Sequence, residues 1–148
     1  MGVRTEIDHA SKTVTQEQTA LILKAASKFK WDGRARYSPP TTKGLKPLAE
    51  GTNICPIFHK QYRAKVVFLA HVALLTRVDL AYHAVELARQ LVRPSEEADK
   101  FADETMQFLF STADQRLQYD CRQPLGRTLV ISSDASLADT EQAKTTGG

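Results

Sequence analysis

Ten basic side chains fall between Lys24 and Lys65: Lys24, Lys28, Lys30, Arg34, Arg36, Lys43, Lys46, Lys60, Arg63 and Lys65. Only Asp32 and Glu50 oppose them, so the stretch carries a net charge of +8. Cations at this density suit one kind of chemistry, the neutralisation of nucleic-acid phosphates with release of their counterions. Trp31, Tyr37 and Phe58 are interleaved with them, a composition that fits single strands whose bases stack on rings while the backbone is tracked by charge. Three rings in such a stretch is close to background, and lysines on a helix are in the ordinary case a solvated face. Lys24 and Lys28, four residues apart, stand side by side if their segment is helical. Between Ser95 and Asp120 the balance inverts: seven acidic residues face Lys100 and Arg116, a net charge of −5. The first segment is therefore electropositive and the later one electronegative.

The other reactive residue types do not combine. Cys55 and Cys121 form no Cys-x-x-Cys pair and have no His at zinc-ligand spacing. They are expected to be free thiols, with one long-range disulfide as the alternative. His71 and His83 lack a carboxylate or Cys at ligand spacing and are expected to be ordinary half-buried imidazoles. There is no Gly-rich phosphate loop, no His-Glu-x-x-His and no Ser-His-Asp arrangement that the spacing supports. No cofactor is expected in the chain.

The elements that must position these residues are centred on Tyr62–Leu91. Val66, Leu69, Ala70 and Ala73 recur at spacings of three and four, as do Leu80, Ala84, Leu87, Ala88 and Leu91, so each set lines one face of a helix. The break between them, with Thr76 or Asp79 as N-cap, is short enough to favour an antiparallel helical hairpin over 60–75 and 79–93. Ahead of it, residues 1–15 alternate weakly around a His9-Ala10-Ser11 turn and predict a β-hairpin. Such a hairpin is marginal alone. Residues 16–30 follow as a helix with Thr15 as N-cap, Gln18 completing a capping box, and Ile22, Ala25, Ala26 and Phe29 as its apolar face. Residues 31–58, rich in Pro and Gly, predict an irregular basic loop. A helix over 96–112 starts at Ser95, with Glu96, Glu97 and Asp99 suiting its dipole and Ala98, Phe101, Ala102, Met106 and Leu109 facing the core. In Thr128–Ser133, Thr128-Leu129-Val130-Ile131 has the composition of a buried strand, and Ala135–Gly148, small and polar, reads as a frayed end.

The expected fold is α+β, mainly α, with about four helices between a leading β-hairpin and trailing strands. At 148 residues and 42% hydrophobic content the chain has room for one ordinary domain with a real core, or a small one plus the edge of another. The longest apolar run, Val66–Leu75, contains His71 and falls short of the ~20 residues of a membrane span. The N-terminus carries Arg4, Glu6 and Asp8 instead of an apolar leader. A soluble, intracellular chain, cytoplasmic or nuclear, is expected.

The Tyr62-Arg63 opening, the apolar helix with small residues and Thr76-Arg77-Val78-Asp79-Leu80-Ala81-Tyr82 resemble the Pol polyprotein of copia-type LTR retrotransposons, between the reverse transcriptase palm and RNase H. Three further stretches resemble that family in the same order. Val3–Thr15 with Gln16-Glu17-Gln18 is similar to the hairpin and helix start after the palm. Pro94-Ser95-Glu96-Glu97 is similar to the Pro-x-x-x-His start of the next helix, without the His. Leu129–Gly148 is similar to the hydrophobic strand, Asp-Ala-Asp-Trp and Arg-Lys-Ser-Thr-Ser-Gly that open RNase H. Where the family has Thr-Arg-Pro-Asp, this chain has Val78, and Leu137 stands in place of the Trp.

The resemblance implies residues 1–15 as the end of the palm, 16–116 as thumb and connection helices (with 31–58 the basic loop), and 117–148 as a truncated start of an RNase H-like domain. It implies nucleic acid, an RNA–DNA or DNA duplex held by its backbone, and the rest of the Pol polyprotein as partners, with no membrane. Asp134 matches the first RNase H carboxylate. Two metal ions need several carboxylates, so Asp134 is orphaned here, and Mg belongs to the intact parent enzyme. The polymerase's Tyr-x-Asp-Asp is absent, so the chain alone is expected to be catalytically silent. Two other readings stand beside this one: a degenerate transposon relic without activity, and a repurposed helical protein-binding module.

Overall fold

A computed structural model describes residues 2–41, 45–49, 51, 53–122, 135–136 and 146–147. The order is β1 (Arg4–Asp8), β2 (Thr13–Glu17), α1 (Thr19–Lys28), α2 (Pro56–Leu75), a 3-10 turn (Val78–Leu80), α3 (Ala81–Arg89), α4 (Glu96–Ser111), β3 (Leu117–Asp120), β4 (Ala135–Ser136) and β5 (Thr146–Gly147). The fold is α+β, with four α-helices and a three-stranded antiparallel sheet ordered β1-β2-β3 among the described residues. β4 pairs with β5. The Thr128–Ser133 strand expectation lies outside the described residues.

The leading hairpin forms as the alternation predicts. Its turn is closed by Asp8, whose carboxylate accepts from the backbone N–H of Ala10 (2.9 Å) and the hydroxyl of Ser11 (2.6 Å), an Asx turn. These hydrogen bonds, that from the Ser11 side chain foremost, hold the Asp8 carboxyl below its usual range. A hairpin alone is marginal, and the third strand comes from this same chain: β3 pairs Tyr119 with Val14 and Leu117 with Gln16. Leu117–Asp120, grouped by sequence with the 117–148 segment, thus completes the N-terminal sheet.

With β2 flanked on both edges, strand geometry persists through Glu17. Thr15 is consequently a strand residue opposite Glu6 and Gln118, not the helix cap that the sequence suggests. α1 starts three residues later than expected, after Gln18, which makes no side-chain cap bond. The Gln18 side chain is instead buried, its Oε1 accepting from the Thr76 hydroxyl at 2.8 Å. Ile22, Ala25 and Ala26 are buried as the spacing predicts. The helix ends in a Schellman arrangement with Lys30 at φ 54°, the N–H of Lys30 and Trp31 reaching back to Ser27 and Ala26 carbonyls.

α2 begins at Pro56, earlier than the periodicity indicates, because proline at the first helical position lacks only an N–H that would have no partner anyway. The Tyr62 phenol donates to the Leu87 carbonyl at 2.7 Å, and His59 Nε2 pairs with the Leu91 carbonyl at 2.7 Å. The start of α2 therefore lies beside the end of α3, the expected antiparallel hairpin. The break between them is built differently from the prediction. Thr76 ends α2, Leu80 precedes α3, and neither Thr76 nor Asp79 caps a helix by its side chain.

α4 is the most deeply embedded element. Ala98, Phe101, Ala102, Thr105, Met106, Phe108, Leu109 and Phe110 are all buried, and it packs on α1, α2 and α3. Ser95 caps it as predicted, its hydroxyl accepting from the Ala98 N–H at 3.1 Å. Leu69, Leu87 and Leu109 are fully buried at this centre; truncating any one to Ala would cost about 2–5 kcal/mol. Among the described residues no helix packs across the sheet.

Candidate nucleic-acid interface

The ten basic residues separate into groups once folded. Lys65 is only 15% exposed in its side chain and is held by Asp99 (2.8 Å) and Asp103 (2.6 Å) of α4. Burial works against its charge, but the hydrogen bonds to Asp103 and Asp99 outweigh it and carry the ammonium above its ordinary value. Arg36 pairs with Glu104 at 3.3 Å and its backbone N–H donates to the Ser111 hydroxyl at 2.8 Å. Arg34 pairs with Asp32 at 3.0 Å. The electropositive and electronegative segments, distinct along the chain, are thus partly neutralised against each other where Lys65 and Arg36 meet α4. Lys46 is exposed on the irregular segment, and Lys43 lies outside the described residues.

Lys24, Lys28, Lys30, Lys60 and Arg63 are exposed and are not drawn into the ion pairs that hold Lys65, Arg36 and Arg34. The helices that carry or border them explain this: neither α1 nor α2 contains a single Asp or Glu. Lys24 and Lys28 sit on the outer side of α1, opposite Ile22 and Ala26. The Phe29 ring, just past the end of α1, packs on Phe68 of α2 at 5.9 Å, on the helix that also carries Lys60 and Arg63.

The irregular segment before α2 is tied down. Trp31 packs on Phe110 at 5.8 Å and donates its indole N–H to the Arg34 carbonyl. The Pro40 carbonyl meets His83 Nε2 at 3.0 Å, the Leu45 carbonyl accepts from Gln90, and the Leu48 N–H donates to the Arg93 carbonyl. Of the three interleaved rings, Trp31 and Phe58 are partly buried and Tyr37 alone is well exposed. The stacking platform suggested by composition is thus reduced to one free ring.

The two histidines diverge from the common expectation. His71 is exposed, because it lies on the side of α2 away from the core. His83 is buried and stacks on Phe101 at 5.7 Å. A carbonyl only accepts, so Nε2 of His83 carries its proton toward Pro40. Cys55 and Cys121 are free and exposed. Asp134 lies outside the described residues. Among the described residues no three His, Cys, Asp or Glu side chains cluster to hold a metal ion. For the Mg that the resemblance implies, no ligand set is present among the described residues. No described helix is long and apolar enough to cross a membrane.

Sequence reasoning missed Arg77. It is 2% exposed, donates to the Thr112 carbonyl and hydroxyl (2.9 Å each), forks onto Asp79 (2.9 and 2.8 Å) and lies over the Phe108 ring at 5.5 Å. Its partners on Thr112 and Phe108 stand more than thirty residues away, beyond the reach of any local pattern. Comparison of the chain with family models, with curated proteins and with solved structures gives no match.

Proposed function

We propose that the chain is the thumb and connection segment of a copia-type Pol polyprotein, running toward its RNase H, and that it grips a template–primer duplex through the phosphate backbone. The observation that carries this reading is the set of exposed cations, Lys24, Lys28, Lys30, Lys60 and Arg63, on or beside two helices with no acidic residue. Such side chains meet phosphates as point charges or forks and read no base edges. The grip is therefore sequence-independent. The rest of the Pol polyprotein would supply both active sites, and this chain by itself would catalyse nothing.

Fluorescence anisotropy with a labelled RNA–DNA hybrid tests the reading. Each phosphate contact adds about 0.9 to the slope of log affinity against log salt, so engaging four or five cations gives a slope near −4. Affinity should then fall steeply between about 50 and 200 mM salt. Neutralising Lys24 and Lys28 to Gln should lower the slope by about two, alike for unrelated sequences. No salt-sensitive binding, or a slope unchanged in K24Q/K28Q, would overturn the reading and leave the relic without activity as its successor.

A further inference from the structure

α2 and α3 lie antiparallel with α4 behind both. On α2 the side facing α4 is marked by Lys65, through Asp99 and Asp103. On α3 it is marked by His83, through Phe101. At ~100° per residue, Arg63, Val67, Ala70 and Leu74 fall on the far side of α2 from Lys65. By the same count Ala81, Val85 and Ala88 fall on the far side of α3 from His83. The outer surface of the hairpin is thus a strip along its seam, with alanines low between the helices and larger apolar side chains along the edges. Those larger groups stand in solvent: Leu74 is 83% exposed, Val67 56% and Val85 54%. Val78 and Val92, at the two ends of α3, are also exposed. Exposed apolar side chains aligned along one seam, with Arg63 among them, mark an interaction surface.

The charges around it select what. Lys60, Arg63 and His71 are exposed on the α2 side, and α2 has no acid; the only acid on α3, Glu86, is paired with Arg89 at 2.8 Å. A second copy of this chain would set one basic margin against another. We propose that the outer face of the α2–α3 hairpin docks an amphipathic helix of a protein partner whose apolar stripe lies along the seam and whose flanks are acidic. Apolar anchors at i, i+3, i+4 and i+7 would interleave with Val67, Leu74 and Val85. Flanking Asp or Glu would meet Lys60 and Arg63, giving register and a faster encounter. This surface excludes the outer side of α1 and shares only Lys60 and Arg63 with the nucleic-acid reading; its apolar strip does not depend on that reading.

The probe is a synthetic helical peptide with Leu at those spacings and Glu on both flanks, titrated by fluorescence anisotropy against the full chain. Its counterpart carries Lys at every Glu position. The expected result is saturable binding of the Glu peptide, at least tenfold tighter than of the Lys peptide. Leu74→Asp and Val85→Asp, both at exposed positions, should abolish it with the thermal midpoint unchanged, and K60Q/R63Q should weaken it and flatten its salt dependence. K24Q/K28Q should leave it intact, while L74D should leave hybrid binding intact, so the two readings fail separately. Equal binding of both peptides, binding that survives L74D and V85D, self-association through this face in sedimentation, or binding of anionic phospholipid vesicles in place of the Glu peptide would each overturn the proposal.

Discussion

Arg77 joins the end of α2 to the end of α4, and its removal tests how the helical core is held. Its guanidinium is 2% exposed and makes two hydrogen bonds to Thr112 at 2.9 Å. A hydrogen bond from a charged donor is worth about 1.5–3 kcal/mol, and the stacking over Phe108 about 0.5–2 kcal/mol. Against these stands the desolvation of a buried cation, relieved when the group is deleted. The Asp79 side chain is 43% exposed, so water replaces much of what it loses, and its pairing adds at most about 1 kcal/mol. Arg77→Ala is therefore expected to cost about 2–4 kcal/mol and Asp79→Ala about 1 kcal/mol or less. Arg77→Lys should fall between, because an ammonium keeps the charge without the planar fork. At roughly 2–4 °C per kcal/mol for a chain of this size, Arg77→Ala lowers the thermal midpoint by about 5–15 °C. Urea unfolding followed by the fluorescence of Trp31, the single tryptophan, gives the free energies. An Arg77→Ala cost under about 1 kcal/mol, or an Asp79→Ala cost equal to it, would refute the reasoning; the magnitudes follow from burial and hydrogen-bond count.

Alkaline stability follows from two groups in the α2 interface. Burial, and secondarily the Asp99 charge, pushes the Tyr62 phenol well above its ordinary value, and the Lys65 ammonium is also raised. Both keep their protons in the folded state longer than in the unfolded one, so their contribution is whole below about pH 10 and is lost as pH rises beyond it. Thermal midpoints should fall above pH 10, and less steeply in Tyr62→Phe; an equal fall in that variant would rule Tyr62 out as a source. Cys55 precedes α2, and the backbone N–H groups of Phe58 and Ile57 in the first turn lower its thiol below the usual value. In a Cys121→Ser background, iodoacetamide labelling of Cys55 should reach half its limiting rate at a lower pH in the folded chain than in the urea-unfolded chain; equal midpoints would rule out that effect of the backbone N–H groups.

Much of the helical architecture could be read locally. The Ser95 cap, the acids that follow it and the stripe from Ala98 to Leu109 specify α4 within its own residues, because capping and 3.6-residue periodicity are short-range effects. The antiparallel hairpin of α2 and α3 was equally legible, since a short break between two apolar stripes leaves few other arrangements. Where local signals failed, a distant partner had overridden them. Thr15 has the makings of a helix cap, yet β3, about a hundred residues on, supplies a ladder that keeps it in a strand. Thr76 has the makings of a cap too, but its hydroxyl goes to Gln18; Asp79 is the exception, held by its near neighbour Arg77.

The candidate site divides in the same way. The sequence by itself determined that charge is segregated along the chain, because composition is fixed before folding, and that α1 and α2 carry no acid. Only tertiary structure decided which cations remain available. Packing α4 against α2 and the irregular segment brings Asp99, Asp103 and Glu104 within reach of Lys65 and Arg36, while Lys24, Lys28, Lys30, Lys60 and Arg63 stay exposed outside those pairs. On the α2–α3 hairpin the spacing already marked Val66, Leu69, Ala73, Leu80, Ala84 and Leu87 for burial, and they are buried; that Val67, Leu74 and Val85 stay in solvent was a tertiary outcome, because among the described residues α4 covers only the other side.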